Sequence, residues 1–283
     1  MITNDGVIDV KKIVENKKIE LKEKVKKLKK EGVVPKLAVI LANDLAASKI
    51  YVSKKREMCA ELGVDEVEYM LDENTTTNEV IKIIDRLNND DSVHGILVQL
   101  PVFKDLDERK ILERIDPSKD VDGFHPMNLG SLVMGNNKII ACTPKGIMMI
   151  LEETGVDLKG KTAVVIGRSV IVGKPISQLL LNANATVITC HSKTVDLKKY
   201  TKMADVLVVA AGVPRLVTKD MVKKDSIVID VGINRIDGKI VGDVDTENVK
   251  KVAKYITPVP GGVGITTVVS LLGNLIEMAE NNK

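Results

Sequence analysis

The chain has 283 residues, enough for about two domains of ordinary size. Hydrophobic residues make up 44% and charged residues 29%, as in an ordinary globular protein. A net charge of +3 is too small to indicate nucleic-acid binding by itself, and 2% aromatic residues leave no stacking platform for single-stranded bases. No apolar run approaches the roughly 20 residues that span a bilayer, and the first residues lack a signal core, so we expect neither a membrane segment nor export.

The cysteines and histidines offer no metal-binding pattern. Cys59, Cys142 and Cys190 are far apart and odd in number, which favours reduced thiols in a cytoplasmic protein. The histidines are scattered as well, and none is assigned a chemical role. We therefore expect no metal site.

The first half of the chain predicts a helix followed by alternating strands and helices. The helix lies in a Lys-rich segment, residues 11–31, that holds ten Lys and four Glu and carries a net charge of +6. Such a surface could attract an anionic substrate tail, but a solvated helix face is the better interpretation. Strands are predicted over 36–42, 67–71 and 95–100, helices over 48–62 and 77–87, a loop over 116–130 and a further helix from Pro144.

The second half repeats this alternation around a glycine turn. A buried strand over 162–166 ends at Gly167, and Gly173 opens a helical segment. Further strands are predicted over 186–190, 205–210 and 226–231, then a loop over 257–264 and a final helix over 266–279. Strands alternating with helices predict parallel α/β layers. The pattern places the domain boundary near Thr143.

The glycine turn is a candidate nucleotide site. Backbone N–H groups and the positive end of a helix attract phosphate where a strand turns into a helix. The spacing of Gly167 and Gly173 departs from the usual dinucleotide fingerprint, so a plain strand-to-helix turn remains open. The next strand is followed by a basic, hydroxyl-rich turn, and no carboxylate occurs there until Asp196. Together with Arg168 this turn would suit a 2′-phosphate, which favours NADP over NAD.

A helix face and a strand end are two further, separate candidates. Ser48, Tyr51 and Lys55 follow the spacing of one helix face, where a partly desolvated Lys could transfer protons. Gln99 lies at the carboxyl end of a strand, where α/β sheets bind ligands. An accidental pattern on a surface helix and an ordinary polar strand end remain open alternatives.

Two loops complete the candidates. Asp120 and Asp122 precede Gly123, and their carboxylates could cap the loop or accept from the N–H groups of a heterocycle. A metal is disfavoured because nothing nearby completes a coordination sphere. The segment 258–264, PVPGGVG, suits a backbone wall against a flat ligand, although a tight turn before the last helix explains it equally.

Together these segments resemble the bifunctional methylenetetrahydrofolate dehydrogenase/cyclohydrolase family. Eight motifs occur in family order between about residue 45 and residue 275; each alone is weak, but the set is specific. The motifs are Ser48-x-x-Tyr51-Val52-x-x-Lys55, Gly95-Ile96-Leu97-Val98-Gln99-Leu100-Pro101, Lys119-Asp120-Val121-Asp122-Gly123, Cys142-Thr143-Pro144-x-Gly146, Gly167-Arg168-Ser169-x-Ile171-Val172-Gly173-Lys174-Pro175, Cys190-His191-Ser192-x-Thr194, Asp230-Val231-Gly232-Ile233-Asn234 and Pro258-Val259-Pro260-Gly261-Gly262-Val263-Gly264.

The resemblance implies a fold and a reaction. The fold would be two α/β domains around a cleft: a folate-binding catalytic domain over 1–143, joined by a returning helix over about 266–283, and a Rossmann-like NADP-binding domain over 144–265. NADP⁺ would oxidise 5,10-methylenetetrahydrofolate to the methenyl cation, and water would open that cation to 10-formyltetrahydrofolate. The resemblance also implies a homodimer that acts in one-carbon metabolism on tetrahydrofolate derivatives, including those with a polyglutamate tail.

The resemblance further implies residue roles. Lys55 would transfer the proton of the cyclohydrolase step, Gln99 would tune Lys55, and Tyr51 would orient the folate. Asp122 would hold the pterin with support from Asp120. The remaining implied folate-binding residues are Ser48, Val98, Leu100, Pro260, Gly261 and Gly262. The implied NADP-binding residues are Gly167, Arg168, Ser169, Gly173, Ser192, Thr194 and Ile233, with Arg168 and Ser192 on the 2′-phosphate.

One departure and two alternatives remain. The family usually continues GGVG with Pro-Met-Thr, whereas this chain has Ile265-Thr266-Thr267, which removes a rigid start to the last helix. The first alternative is a dehydrogenase-only relative that uses NAD, against which the retained Lys55 argues. The second is a non-catalytic pterin or nucleotide sensor, against which the retained Tyr51 and Asp122 argue.

Overall fold

The computed structural model describes residues 2–136 and 138–281. Contacts group the chain into two compact units. Unit 1 comprises Met1–Asn16 and Thr143–Thr267, and unit 2 comprises Lys17–Cys142 and Val268–Lys283.

The N-terminal segment differs from the predicted division, which assigned it to the first domain. The Ile8 N–H donates to the carbonyl oxygen of Ile256 over 2.9 Å, and the Ile256 N–H donates to that of Gly6 over 3.0 Å. These backbone bonds extend the edge of the sheet in unit 1. Residues 2–16 therefore pack with unit 1.

The elements up to residue 133 begin with a long amphipathic helix whose apolar residues are buried. In chain order they are Val10–Lys30 (α1), Lys36–Leu41 (β1), Ala46–Leu62 (α2), Asp65–Met70 (β2), Thr77–Asn88 (α3), Gly95–Gln99 (β3), Glu108–Leu112 (α4) and Pro126–Val133 (α5).

The later elements begin with a helix that starts where the chain passes from unit 2 to unit 1. In chain order they are Cys142–Glu153 (α6), Thr162–Ile166 (β4), Gly173–Asn182 (α7), Thr186–Cys190 (β5), Leu197–Thr201 (α8), Val206–Val209 (β6), Ile227–Asp230 (β7), Asn234–Ile236 (β8), Lys239–Val241 (β9), Thr246–Val249 (α9), Tyr255–Ile256 (β10) and Thr266–Asn281 (α10). Short 3₁₀ turns cover Lys219–Met221 and Val263–Ile265.

Unit 2 is built on a three-stranded parallel sheet in the order β2-β1-β3. The central strand β1 is buried from Leu37 to Leu41, as expected for a parallel strand covered on both faces. Ala38 and Ile40 point to one face and join a core cluster with Val80 and Ile84 of α3. The carboxyl ends of β1 and β3 therefore meet at one edge of this sheet.

Unit 1 is built on a five-stranded parallel sheet in the order β10-β7-β6-β4-β5, beside a two-stranded antiparallel hairpin of β8 and β9. β4, β6 and β7 are almost fully buried and form the middle of the sheet. The predicted fold class of two α/β units with parallel sheets is confirmed.

The last helix is long, apolar and mostly buried. Among the described residues, Val263–Asn281 is the one segment long and apolar enough to cross a membrane by length and composition, although two thirds of it is buried inside the protein. The sequence did not predict such a segment here, because Thr, Ser and Asn residues interrupt the apolar run. The two threonines that open α10 bond back to the 3₁₀ turn before it: the Thr266 hydroxyl donates to the carbonyl oxygen of Val263 over 2.7 Å.

The predicted loop over 116–130 is wrong in its second half, which contains the start of α5. Pro126 occupies the first turn of this helix, and the ring Nδ1 of His125 accepts from the Met127 N–H over 3.1 Å. The loop-like composition of His, Pro, Asn and Gly therefore marks a helix start. The short helices α4, α8 and α9, the strand β10 and the β8–β9 hairpin were not predicted either, because segments of two to five residues show no clear periodicity.

We expect Gly95→Ala to destabilise the protein by about 1–3 kcal/mol, the usual cost of overpacking a core. A Cβ at Gly95 would lie 2.2 Å from Cγ1 of Val121 and 2.7 Å from Cδ1 of Leu275. Gly130→Ala is the matched control, because Gly130 lies in α5 with open space where a Cβ would project. Thermal unfolding of both variants checks this. Unfolding of Gly95→Ala at the wild-type temperature would contradict it.

Candidate active site

The helix α2 presents one buried stripe toward the interior of unit 2. Its buried residues are Ser48, Val52, Lys55, Cys59 and Leu62, which follow alternating spacings of four and three. Ser48 is 3% exposed and Lys55 9%, so the hydroxyl and the ammonium share the buried face as predicted. Tyr51 is displaced from this stripe and 44% exposed.

Lys55 is held by an amide instead of a carboxylate. Its Nζ donates to Oε1 of Gln99 over 2.7 Å. The Gln99 Nε2 donates in turn to the carbonyl oxygen of Leu100 over 2.9 Å, which fixes the amide oxygen toward the lysine. Because Gln99 ends β3, the strand end and the helix face meet in one arrangement of unit 2.

The electrostatics around Lys55 favour its neutral form. Burial lowers the pKa of Lys55, and the nearby negative charge of Asp122 partly opposes this. Burial raises the pKa of Asp122 to about 6, against the opposite effect of Lys55. Desolvation disfavours the charged form of each group, so both titrate closer to neutrality than in water.

The two aspartates of the loop have different partners. Asp120 is 3% exposed and accepts from the N–H groups of Gly123 and His125 and from Nδ2 of Asn128, over 2.8–3.1 Å. Asp122 accepts from a weaker donor, the thiol of Cys142, whose Sγ lies 3.6 Å from Oδ1 of Asp122. Asp120 therefore organises the loop, and Asp122 keeps acceptor capacity for a ligand.

The loop is also tied to the C-terminal helix. Asn274 of α10 is 1% exposed, and its Nδ2 donates to the carbonyl oxygens of Val121 and Ile140 over 2.9 and 2.8 Å. This contact fixes the backbone just before Asp122. Sequence reasoning missed Asn274; an amide between the apolar residues Leu272 and Leu275 was the available signal.

Two predicted folate-binding residues lie in the core of unit 2. Val98 is 2% exposed and belongs to the cluster on the α3 face of the sheet, and Leu100 packs against the same cluster. Strand alternation explains this, because Val98 points away from the face to which its neighbour Gln99 points. A ligand could reach only the backbone of Val98.

The glycine turn of unit 1 forms a cavity of about 540 Å³ at the carboxyl end of β4. Its lining includes five of the predicted NADP-binding residues, namely Gly167, Arg168, Ser169, Ser192 and Thr194. Ala210 and Ala211, which follow β6, complete one wall. Sequence reasoning missed these two, although the rule that ligands bind at strand carboxyl ends points to them.

Both glycines of the turn are needed for close backbone approach. Gly167 has φ +132°, and a Cβ there would lie 2.3 Å from the carbonyl oxygen of Ala210. A Cβ at Gly173 would lie 2.4 Å from the carbonyl oxygen of Gly167. Oγ of Ser169 accepts from the N–H groups of Val172 and Gly173 over 3.2 and 3.3 Å, so it caps the start of α7. Gly173 therefore allows the turn to pack closely against Gly167, and it is not among the residues that line the cavity.

The remaining predicted residues lie in two other loops of unit 1. Ile233 follows β7, is 56% exposed, and lies within 3.3 Å of where a Cβ on Gly264 would be. Pro260 is exposed, and Gly261 has φ +92°. Gly262 is buried, and its backbone packs so closely that a Cβ there would lie 2.1 Å from the carbonyl oxygen of Pro258. The structure describes these residues with unit 1, whereas Lys55, Gln99 and Asp122 belong to unit 2.

Two buried aspartates that sequence reasoning left without a role fix the loops after β6 and β7. Asp243 is fully buried and accepts from the N–H groups of Ala211 and Gly212 over 2.7 and 2.8 Å, and from Nδ2 of Asn234 over 2.8 Å. Asp230 accepts from the N–H groups of Gly232, Asp243 and Val244 over 2.9–3.0 Å. Burial raises the pKa of Asp230 to about 6. The pair therefore sets one wall of the cofactor cavity.

Across the described residues, no group of three or more His, Cys, Asp or Glu side chains could hold a metal ion. Cys59, Cys142 and Cys190 are buried, and none of them forms a disulfide in the part of the chain that the structure describes. The polar groups of the candidate sites are therefore hydroxyl, amide, ammonium and carboxylate side chains together with backbone N–H groups.

Comparisons with known proteins agree along the whole chain. Residues 8–122 match the family model of the tetrahydrofolate dehydrogenase/cyclohydrolase catalytic domain, and residues 141–283 match that of its NAD(P)-binding domain. The bifunctional protein FolD of Exiguobacterium sibiricum is 52% identical over 274 residues, which cover 97% of this chain and 99% of that protein.

Solved structures give the same result. The bifunctional FolD methylenetetrahydrofolate dehydrogenase/cyclohydrolase of Campylobacter jejuni is 51% identical, with a TM-score of 0.96 and complete coverage of both chains. The Trypanosoma brucei enzyme, solved with NADP cofactor and an inhibitor, is 37% identical with a TM-score of 0.91 over 97% of each chain. The chain therefore belongs to the tetrahydrofolate dehydrogenase/cyclohydrolase family.

Proposed function

We propose that this protein oxidises 5,10-methylenetetrahydrofolate with NADP⁺ and hydrolyses the resulting methenyl cation to 10-formyltetrahydrofolate. The observation that carries the proposal is the buried Lys55, held by the neutral amide of Gln99 beside Asp122. A lysine in this setting can accept a proton from water, which a dehydrogenase without the second activity does not require. Family membership and the cofactor cavity of unit 1 support the first step.

Lys55 acts in the hydrolytic step. Water adds to the methenyl carbon, and neutral Lys55 takes the proton that the water loses as the new C–O bond forms. When a C–N bond of the five-membered ring then breaks, the same ammonium returns a proton to the leaving nitrogen, and the added hydroxyl loses its proton to solvent as the formyl C=O bond forms. A neutral amine suits this role, because an ammonium would repel the cationic substrate and could not accept the proton.

The neighbours of Lys55 orient the groups that react. Gln99 holds the amine in place without adding a charge. Asp122 accepts from the N–H groups of the pterin, while Asp120 fixes the loop that carries it. The exposed Tyr51 ring packs on the folate and orients it. The buried Ser48 hydroxyl lies on the same helix face as Lys55.

NADP⁺, when bound, supplies the hydride acceptor. The cavity at the glycine turn fits such a group, because it lies where a strand turns into a helix and the Arg168 guanidinium in its lining suits phosphate. Arg168 and Ser192 would hold the 2′-phosphate, with Thr194 beside them. Ser169 and Ile233 would border the cofactor, and Gly167 and Gly173 permit its close approach.

We further propose that the protein works as a homodimer in the cytoplasm. The resemblance to the family supports the dimer, and three buried cysteines without a disulfide among the described residues suit a reducing compartment. Light scattering on the purified protein tests the first statement; a monomer at micromolar concentration would contradict it.

We expect Lys55→Met to abolish hydrolysis of methenyltetrahydrofolate, a loss of at least about 10²-fold, as for removal of a general acid–base group. Reduction of NADP⁺ should continue, so methenyltetrahydrofolate should accumulate and be seen by its absorbance. Lys54→Met is the matched control, because Lys54 is the exposed neighbour on the same helix. Near-normal hydrolysis by folded Lys55→Met would exclude this role for Lys55.

We expect Arg168→Gln and Ser192→Ala each to raise KM for NADP⁺, Arg168→Gln by about 10- to 100-fold, the usual effect of losing hydrogen bonds to a charged group. KM for NAD⁺ should stay within about twofold, because NAD⁺ lacks the 2′-phosphate. Arg235→Gln, in the exposed part of the β8–β9 hairpin, is the control. Equal increases for both cofactors would mean that these residues shape the cavity without recognising the phosphate.

Neutralising the Lys-rich helix α1 should leave KM for polyglutamylated and monoglutamylated folate in the same ratio. Several of its lysines already face glutamates, as in the pairs Lys17–Glu20 and Lys26–Glu23. Exposed pairs of this kind are typical of a solvated helix face. A Lys22→Gln/Lys29→Gln variant that selectively raised KM for the pentaglutamate would instead assign α1 to the substrate tail.

A further inference from the structure

Glu66 of β2 has a buried carboxylate without a donor. Both of its side-chain oxygens are buried, and neither has a hydrogen-bond partner in the part of the chain that the structure describes. A buried ionised carboxylate without donors is costly, so native proteins keep such groups only where something compensates for them.

Strand alternation places this carboxylate against α2. Val67 and Tyr69 pack on the core cluster that faces α3. Glu66 and Glu68 must therefore point to the opposite face of the sheet. Glu68 does so and accepts from the guanidinium of Arg56 on α2, with 2.7 Å from Nε to Oε1.

The same region holds the buried stripe of α2 that carries Lys55. The negative charge of Glu66 raises the pKa of Lys55, although burial dominates and lowers it. Cys59, one helical turn beyond Lys55, responds to both: burial and then Glu66 raise the pKa of its thiol to about 12, and Lys55 opposes this. Lys55, Cys59 and Glu66 therefore share one poorly solvated environment.

Two charged groups face Glu66 besides Lys55. Burial first, and then the negative charge of Glu68, raise the pKa of Glu66 to about 7; Arg56 and Lys55 oppose this. Protonated Glu66 can donate its O–H to the carboxylate of Glu68, whereas ionised Glu66 finds no donor. The arrangement therefore retains a proton on Glu66 up to about neutral pH.

We propose that Glu66 is a positioning residue whose charge state sets the proton affinity of Lys55 during hydrolysis, without contact to the substrate. Protonated Glu66 leaves Lys55 in the neutral form that accepts a proton from water. Ionised Glu66 stabilises the ammonium form and holds back the rise of activity with pH. This inference rests on the proposed function, in which Lys55 is the proton acceptor.

The test is the pH dependence of methenyltetrahydrofolate hydrolysis by Glu66→Gln, corrected for hydrolysis without enzyme. Glutamine cannot ionise and can still donate to Glu68, so it mimics the protonated acid. The ascending limb should move to lower pH by about half a unit, which is on the order of a threefold gain in rate on that limb. NADP⁺ reduction should be unchanged.

Two further variants sharpen the result. Glu57→Gln removes one negative charge from the exposed face of the same helix and should leave the profile in place. Glu66→Ala also removes the charge and should shift the limb in the same direction as Glu66→Gln. Coincident wild-type and Glu66→Gln profiles, or an equal shift in Glu57→Gln, would overturn the proposal.

A second measurement does not depend on activity. The pKa of Glu66 lies above its usual value in the folded protein, so the ionised group opposes folding. The stabilising effect of its proton is complete below about pH 4.5 and is lost as pH rises through about 7. The melting temperature of Glu66→Gln minus that of wild type should therefore increase from pH 5 to pH 8. A constant difference would overturn the proposal.

The outcomes separate this inference from the proposed function. If Lys55→Met still hydrolyses the methenyl compound, the role of Lys55 fails and this inference fails with it. If Lys55→Met is inactive in hydrolysis while Glu66→Gln keeps the wild-type profile, only the role of Glu66 fails.

Discussion

The candidate chemistry of unit 2 depends on removing one ammonium group from water without giving it a full ion pair. Lys55 reaches this state because α2 presents it on a buried stripe and β3 ends at an amide, Gln99. A carboxylate at the position of Gln99 would hold the proton on the lysine, since an adjacent opposite charge favours the charged form. The neutral partner keeps orientation and proton affinity separate: the hydrogen bond supplies the first, and burial lowers the second.

In unit 1 the main constraint is that backbone atoms must lie close to a large anionic ligand. The Gly167 turn permits contacts with the chain after β6 that a side chain would block. The walls around it are held by Asp230 and Asp243, whose oxygens accept from backbone N–H groups of the loops after β6 and β7. These internal anions take up the N–H groups of the loops, and Ser169 takes up those of Val172 and Gly173 at the start of α7. The Arg168 guanidinium in the cavity lining then supplies positive charge for a phosphate.

The sequence predicted the longer helices and strands of this molecule well, and the short elements and loop contacts poorly. Strands 162–166 and 186–190 were predicted with their exact bounds, because continuous β-branched runs between turn residues have few other interpretations. The motif and the rule for strand ends made Lys55 and Gln99 separate candidates, and their pairing was implied by the resemblance to the family. The donors to Asp120, the burial of Val98 and the contacts of Asn274 depend on residues far apart in the chain, which no local pattern reports.

The carboxylates illustrate why residue type alone could not assign roles. Asp120 accepts from donors of its own loop and Asp243 from the loop after β6, and a ligand could compete for these oxygens only by breaking those contacts. Within residues 2–136 and 138–281, Asp122 accepts from the thiol of Cys142, and the carboxylate oxygens of Glu66 have no hydrogen-bond partner. Burial acts against the charge of each of these two, without several backbone N–H groups to compensate for it. The number of hydrogen-bond donors around each carboxylate depends on the fold. Carboxylates with several donors hold the loops of the site in place, whereas those with few donors can change protonation state during the reaction.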